Sequence, residues 1–156
     1  MPTGEWKIRS REGPDTYDND GLTPHFSPPD REVWHVLSLW VEYTASDTVA
    51  TRALRVVIED ADDDIIMEIA PGVTLTASQQ RDFHFAPGLA DLTAARDTDL
   101  VTTPLPYGLF LRPGWDLMVI EQSSGDTTDS EVMELQLLYG VENIMSTVGT
   151  TPNTTD

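Results

Sequence analysis

Residues 32–44, EVWHVLSLWVEYT, decide the fold class because apolar side chains recur at every second position. A repeat of two is the signature of a β-strand, whose successive side chains point to opposite faces of a sheet. One face of this strand is then nearly all apolar, with Val33, His35, Leu37, Leu39, Val41 and Tyr43. The other face carries Trp34 and Trp40 beside Val36, Ser38 and Glu42. The pattern predicts a strand inside a sandwich, or one whose outer face a partner covers.

Similar apolar alternation recurs in several further segments of the chain. These segments are TRALRVVIE (51–59), IIMEI (65–69), RDFHF (81–85), YGLFL (107–111), WDLMVIE (115–121) and EVMELQLLYGV (131–141). The segments between them are rich in Gly, Pro, Asp, Ser and Thr, which favour turns. No helix is expected beyond a short turn in residues 90–99. About seven or eight strands at this spacing predict an all-β fold, an antiparallel β-sandwich or jelly roll.

Two polar segments flank the predicted sandwich. Residues 1–31 are rich in Pro, Gly, Asp and Asn and show no regular period, which predicts an extended N-terminal arm. Residues 146–156, STVGTTPNTTD, form a polar C-terminal tail of low complexity. At 156 residues the chain is expected to hold one domain, the β-sandwich of residues 32–145.

The charge of the chain excludes several classes of partner. There are 27 acidic residues against nine basic ones, which gives a net charge of −18, and Lys7 is the single lysine. Such a field repels nucleic acid and anionic membrane surfaces, so neither is expected as a partner. An Asp-rich, Lys-poor composition resembles proteins of extreme halophiles, and the alternative is an acidic mesophilic protein. In the halophilic interpretation, lowering the salt concentration loosens the fold because screening is lost.

The composition also limits compartment and chemistry. The chain has no cysteine, which excludes disulfides and thiolate metal sites. No segment approaches the ~20 apolar residues of a membrane helix, and the first residues contain no apolar signal region. We therefore expect synthesis and assembly in a cytoplasm.

A run of acidic residues separates two apolar segments in VVIEDADDDIIMEI, residues 56–69. Asp60, Asp62 and Asp64 match positions one, three and five of an EF-hand calcium loop. The match fails where position six requires Gly and the chain has Ile65, and where position twelve requires Glu and the chain has Pro71. A different calcium loop stays open as a hypothesis. The other interpretation is a β-hairpin turn whose charges keep two apolar strands soluble.

No catalytic arrangement is found in the sequence. His25, His35 and His84 lack a second ligand at metal spacing; a site made from all three stays open. There is no nucleophile elbow, no phosphate-binding loop and no dinucleotide fingerprint. Carboxylate pairs carry little information among 27 acidic residues. We predict a protein that is not an enzyme and that needs no cofactor.

The aromatic residues are the candidate contact residues. Tryptophan is enriched at the centres of protein interfaces, and the candidates for such a role are Trp6, Phe26, Trp34 and Trp40. Core packing is the alternative for Trp34 and Trp115. Exposed aromatic rings on a sandwich also suit sugar stacking, as in carbohydrate-binding modules.

Several stretches between residues 33 and 140 resemble small β-sandwich structural proteins of tailed phages. The recurring elements are a Trp-led strand ending in EYT, a TR-x-L-x-V-x-I-x-D strand, an F-x-F-x-PG stretch and an LP…L-x-PGW-x-L pair. With the acidic surface, the resemblance points to a tailed virus of a halophilic host. It implies a structural role without catalytic residues, in a virion assembled in the host cytoplasm.

The resemblance implies a capsid decoration or cement protein, or a turret, in contact with the major capsid protein or other virion proteins. Decorations of this kind are often trimers, so a homo-oligomer is expected, with a trimer favoured. A head–tail connector or a tail or baseplate component is the alternative within the same class. From another class, the alternative is a carbohydrate-binding module, with calcium at Asp60 to Asp64 as a possible aid to binding.

Overall fold

A computed structural model describes residues 7–12, 25–91, 99–123 and 132–144 of the chain. Within these ranges the chain forms eleven strands and no helix. The strands are β1 (Lys7–Glu12), β2 (His25–Phe26), β3 (Glu32–Thr44), β4 (Arg52–Glu59), β5 (Ile65–Ile69), β6 (Thr74–Leu75), β7 (Gln80–Pro87), β8 (Leu100–Leu105), β9 (Phe110–Leu111), β10 (Asp116–Ser123) and β11 (Val132–Asn143).

The strands form two sheets. Sheet 1 has the order β1-β11-β3-β7-β8, with β9 also pairing with β3, and sheet 2 has the order β2-β10-β4-β5, with β6 also pairing with β4. All pairs are antiparallel except β7 with β8, which is parallel. The predicted all-β sandwich is confirmed.

The core lies between the two sheets and is built from alternate residues of each strand. Sheet 1 contributes Leu39, Val41, Phe83, Phe85, Val101, Leu135 and Leu137, and sheet 2 contributes Leu54, Val56, Ile58, Leu117 and Val119, all of them buried. Burying a side chain of this size stabilises the fold by about 1.5–3 kcal/mol. The alternation seen in the sequence is therefore the alternation between core and outer face.

A β-bulge in β3 divides that strand into two registers. Ser38 pairs with Leu138, but the next pair joins Val36 to Tyr139, so Leu37 is an extra residue on β3. After such an insertion the side chains change faces. The core face of β3 is therefore formed by Trp34, Val36, Leu39, Val41 and Tyr43. The single face predicted from the period of two is correct from Leu39 onward and wrong for Val33, His35 and Leu37.

The predicted N-terminal arm needs a correction in two places. Lys7–Glu12 pairs with β11 at one edge of sheet 1, and His25–Phe26 pairs with β10 at one edge of sheet 2. These segments lack apolar alternation. They are strands because their backbones pair with a longer strand, and their own composition does not reveal that pairing. The other residues of the predicted arm, the tail 146–156 and most of the short turn predicted in 90–99 lie outside the described residues.

A buried polar cluster joins the two sheets beside the β3–β4 connection. The Arg52 side chain is 0% exposed and its Nε lies 3.6 Å from Glu121 Oε1, whose side chain is 6% exposed. Tyr43 of sheet 1 donates its hydroxyl to Glu121 Oε2 at 2.9 Å. Arg52 also donates to Ser46 Oγ at 2.7 Å and to the Thr48 carbonyl at 3.1 Å. The guanidinium thus binds both the β3–β4 connection, which links the two sheets, and Glu121 near the end of β10.

One buried hydroxyl of the described core is unsatisfied. Thr103 is 5% exposed, and its Oγ1 has no hydrogen-bond partner among the described residues. We expect Thr103→Val to raise the free energy of unfolding by about 1 kcal/mol, since a methyl group of similar size needs no partner. Urea denaturation measures the change. Thr102→Val is the control, because the Thr102 hydroxyl donates to the Ala90 carbonyl at 2.7 Å, and we expect no gain there. A loss of stability in Thr103→Val would mean that this hydroxyl is satisfied.

Candidate functional site

The outer face of sheet 1 places side chains from several strands in rows. Trp40 of β3 is the register partner of Gln136 on β11 and of His84 on β7. Beside this row, Ser38 is the partner of Leu138. These five side chains line a half-open depression of about 280 Å³, just below the ~300–1,000 Å³ of common small-molecule sites. The described outer face therefore holds a site of the size of one small ring, centred on Trp40.

Two rings form one wall of the depression. The centroids of Trp40 and His84 lie 5.4 Å apart, and the ring planes meet at 47°. Burial lowers the pKa of His84 below its ordinary value of 6.5. The imidazole is therefore neutral at pH 7 and offers one hydrogen-bond donor and one acceptor. All five side chains that line the depression are uncharged at this pH.

A row of carboxylates lies next to the depression. Glu42 of β3 is the register partner of Glu134 on β11 and of Asp82 on β7. Side chains in such positions are about 4.5–5.5 Å apart at Cβ, and like charges there destabilise the sheet. The pKa of Asp82 is raised above 3.8 by burial first and then by the charges of Glu42 and Asp99. We name these three residues, Glu42, Asp82 and Glu134, the carboxylate row.

The raised pKa of Asp82 predicts a pH-dependent effect on stability. Above the folded-state pKa, Asp82 is ionised in both the folded and the unfolded chain, and its charge destabilises the folded one. This destabilisation is lost as the pH falls through the folded-state pKa toward 3.8, the ordinary value. We expect Asp82→Asn to increase the free energy of unfolding at pH 7 by on the order of 0.2–1 kcal/mol, the range for a cross-strand pair. The gain should vanish toward pH 4 and shrink in molar salt.

Thermal unfolding of Asp82→Asn and of the parent chain, followed by circular dichroism at several pH values, measures this effect. Asp47→Asn changes an exposed aspartate of the β3–β4 connection and serves as the charge-matched control. A gain that is equal in the two variants, or that persists at pH 4, would show that the carboxylate row is not its origin.

The acidic run forms the turn of the β4–β5 hairpin, as one of the two interpretations predicted. Asp60 Oδ1 accepts hydrogen bonds from the backbone amides of Asp62 and Asp64, at 3.0 and 3.1 Å. Asp63 adopts a φ of 63°, a conformation that aspartate tolerates better than most residues. One carboxylate thus shapes the turn while Asp62, Asp63 and Asp64 are exposed. In the described ranges, no group of three or more His, Asp or Glu residues is placed to hold a metal ion.

The three histidines are distributed over both sheets. His25 lies on β2 of sheet 2, and His35 and His84 lie on sheet 1. The Nε2 atom of His35 lies 3.1 Å from Glu142 Oε2 on the neighbouring strand β11. His84 occupies the outer face of sheet 1 beside Trp40. The structure gives no support to a shared metal site of the three.

The predicted contact residues separate into three groups. Phe26 and Trp34 are 0% and 2% exposed, so the prediction of an interface role is wrong for both: their rings pack inside the chain's own core. Trp40 lies half-buried on the outer face and stays a candidate. Trp6 lies outside the described residues. Trp115 packs partly against the core and stacks on Phe110 at 5.9 Å.

A second candidate surface is the free edge of sheet 2. Among the described residues β5 pairs with β4 alone, so its other edge is open. Ile65 and Ile66 on this strand are 61% and 44% exposed. By contrast β8, at the edge of sheet 1, carries Pro104, which blocks backbone pairing. Unlike β8, β5 retains the backbone groups and the apolar side chains that another strand could pair with.

Sequence reasoning missed Ser38, Gln136 and Leu138 as parts of a site. The sequence held no local signal for them, because their meeting depends on the register of β3 with β11. The exposed isoleucines of β5 were visible in IIMEI, but their exposure depends on which edge of the sheet that strand occupies.

Comparison with known proteins adds little to this description. No protein-family model matches the chain, and no curated protein matches it. The chain is similar to a chain in the solved structure of infectious bursal disease virus Gx strain, with 9% identity and a TM-score of 0.34. The match covers 92% of this chain and 38% of that one, so this chain spans less than half the length of its neighbour. At this score the likeness establishes neither fold nor function. The described residues form no helix long and apolar enough to cross a membrane.

Proposed function

We propose that this chain is a non-enzymatic structural protein of a virion, which decorates or cements the capsid as a homo-oligomer in contact with the major capsid protein. The observation that carries the proposal is the open edge of β5 with its exposed isoleucines. The resemblance of residues 33–140 to small sandwich proteins of tailed phages supports the virion assignment. Among virion roles, we favour decoration or cement, because such a protein must bind other chains and the exposed edge of β5 is suited to that.

An open apolar strand edge is a liability for a protein that acts alone. It presents unpaired backbone groups and apolar side chains to any other strand, and natural proteins block such edges with charge, proline or a covering segment. In β5 the charged Glu68 is engaged by Arg55, with 2.6 Å between Nη1 and Oε1. The charges of Asp62, Asp63 and Asp64 lie beside the start of β5, but within the described part of the chain both isoleucines stay exposed. A permanent partner at this edge explains their retention, and a second copy of the chain is the partner we assign to it.

The charge supports the same role. A net charge of −18 keeps the surfaces that face solvent hydrated and prevents unspecific association. The same charge repels a second copy at low salt, so the contact between copies is expected to form in molar salt, where repulsion is screened. This is the condition inside a halophilic host. A trimer is the oligomer we favour.

The edge contact can be tested with one substitution. We expect Ile65→Lys to shift the chain from oligomer to monomer in molar salt, because burying the charged lysine side chain at a strand contact costs desolvation free energy. Size-exclusion chromatography with light scattering measures the mass. Val49→Lys is the matched control: Val49 is 93% exposed but lies in the β3–β4 connection, and this variant should remain oligomeric. A parent chain that is monomeric in molar salt, or an Ile65→Lys variant that stays oligomeric, would contradict the assignment of the edge.

The virion role is tested by the copy number of the chain in purified particles, measured by quantitative mass spectrometry against the major capsid protein. Hundreds of copies are expected for a decoration or cement protein. A handful, on the order of one ring of subunits, would favour the head–tail connector or tail component instead. Absence from the particles would overturn the virion proposal.

A further inference from the structure

We propose that the depression around Trp40 on the outer face of sheet 1 is a binding site for one ring of a neutral saccharide. The proposal is independent of the virion role, because it concerns the opposite sheet from the β5 edge. It rests on the shape of the depression, on the chemistry of its five lining side chains and on the carboxylate row beside it.

The aromatic wall matches the apolar face of a pyranose. The axial C–H groups of a sugar ring carry a small positive charge and favour the electron-rich face of an aromatic ring. Trp40 supplies the ring, and His84, tilted by 47° at 5.4 Å, encloses one side. Leu138 adds a further apolar contact, and its side chain is 37% exposed. A half-open depression of about 280 Å³ holds one such ring and leaves the rest of an oligosaccharide in solvent.

The polar groups around the ring match sugar hydroxyls. Ser38, His84 and Gln136 line the depression, and their side chains are of the neutral type that both donates and accepts hydrogen bonds. The carboxylate row lies two residues further along the same face of these strands, and carboxylates accept strong hydrogen bonds from hydroxyl groups. Because the row would be repulsive by itself, hydroxyl donors from a ligand would stabilise it.

The charge of the surroundings selects the class of saccharide. Three carboxylates and a net charge of −18 disfavour sialic acid, uronic acids and sulfated sugars. An organic cation is the competing ligand, since cations also favour aromatic rings beside carboxylates. The lining itself is uncharged and carries three hydrogen-bonding side chains, which suit hydroxyl groups better than a cation. Calcium at the acidic turn has no part in this site, because that turn belongs to sheet 2.

A titration of the full chain with neutral oligosaccharides tests the site, after a glycan array has selected the probe. Saturable binding is expected, with a Kd on the order of millimolar for a shallow single-ring site. Trp40→Ala should weaken binding by about tenfold or more. Tyr107→Ala removes an aromatic ring that is 83% exposed and lies outside the depression, and this matched control should bind as the parent chain does.

A second variant keeps the test decisive if Trp40→Ala fails to fold. Gln136→Ala changes an exposed residue of the same depression, and we expect it to weaken binding severalfold with an unchanged circular dichroism spectrum. The proposal is overturned if no neutral saccharide saturates, or if binding is unchanged in folded Trp40→Ala and in Gln136→Ala. It is also overturned if tetramethylammonium or an anionic sugar binds at this site while the neutral saccharides do not.

Discussion

Replacing Arg52 by methionine is expected to lower the free energy of unfolding by about 3–5 kcal/mol. The guanidinium is fully buried and faces Glu121, whose side chain is 6% exposed. Methionine keeps much of the aliphatic length but leaves the Glu121 carboxylate with the Tyr43 hydroxyl and without a counter-charge. The Ser46 hydroxyl and the Thr48 carbonyl also lose a donor. Against a typical total stability of about 5–15 kcal/mol, the variant should lose a large fraction of its free energy of unfolding.

Urea denaturation of the parent chain, of Arg52→Met and of the double variant Arg52→Met/Glu121→Gln measures the effect. The double variant removes the orphaned charge, so we expect it to recover part of the loss and to be more stable than Arg52→Met alone. Arg55→Met is the matched control, because the Arg55–Glu68 ion pair lies on the surface and such pairs are worth about 0–1 kcal/mol. Equal losses of unfolding free energy in Arg52→Met and Arg55→Met would show that the burial of Arg52 is not the cause of its contribution to stability.

Replacing Trp34 by alanine is the second change with a large expected effect, also about 3–5 kcal/mol. The indole is 2% exposed and stacks on Tyr139 with 4.1 Å between the ring centroids and 28° between the planes. Its Nε1 donates to Glu32 Oε2 at 2.8 Å. Truncation removes this ring contact and leaves a cavity on the core face of β3, at the side of the bulge where the register has shifted.

Thermal and urea unfolding of Trp34→Ala measure the loss, with Trp34→Phe as an intermediate variant that retains a ring. Leu138→Ala is the control from the other side of the sheet, since its side chain is 37% exposed, and its loss should be much smaller. If Trp34→Ala were no more destabilising than Leu138→Ala, Trp34 would belong to an outer face, and the position of the bulge at Leu37 would be wrong.

The fold class was predictable because each long strand carries its own alternation. In β7 and β10 the residues that alternate in the sequence, such as Phe83 with Phe85 and Leu117 with Val119, are those that the core buries. The short strands β2, β6 and β9 and the edge strands β1 and β8 were missed or only partly placed. Their pairing with a neighbour defines them, and local composition contains little trace of that pairing.

The candidate sites were much less predictable than the fold. Trp40 and His84 were noted singly, but their contact depends on the register of β3 with β7. Trp34 and Trp40 looked alike in the sequence, and the bulge places one in the core and the other on the outer face. Arg52 and Glu121 attracted no attention among so many charges, although they form a buried pair between distant segments.

By itself the sequence determined the sandwich class and the acidic surface, and it offered the hairpin turn at Asp60 as one of two interpretations, because these depend on residue period and composition over short distances. Only the tertiary structure decided which edge β5 occupies, where β3 changes register and which side chains meet at Trp40. Those features follow from strand pairing between segments far apart in the chain. A shift of one residue in such pairing moves every later side chain to the other face, and no local pattern records that choice.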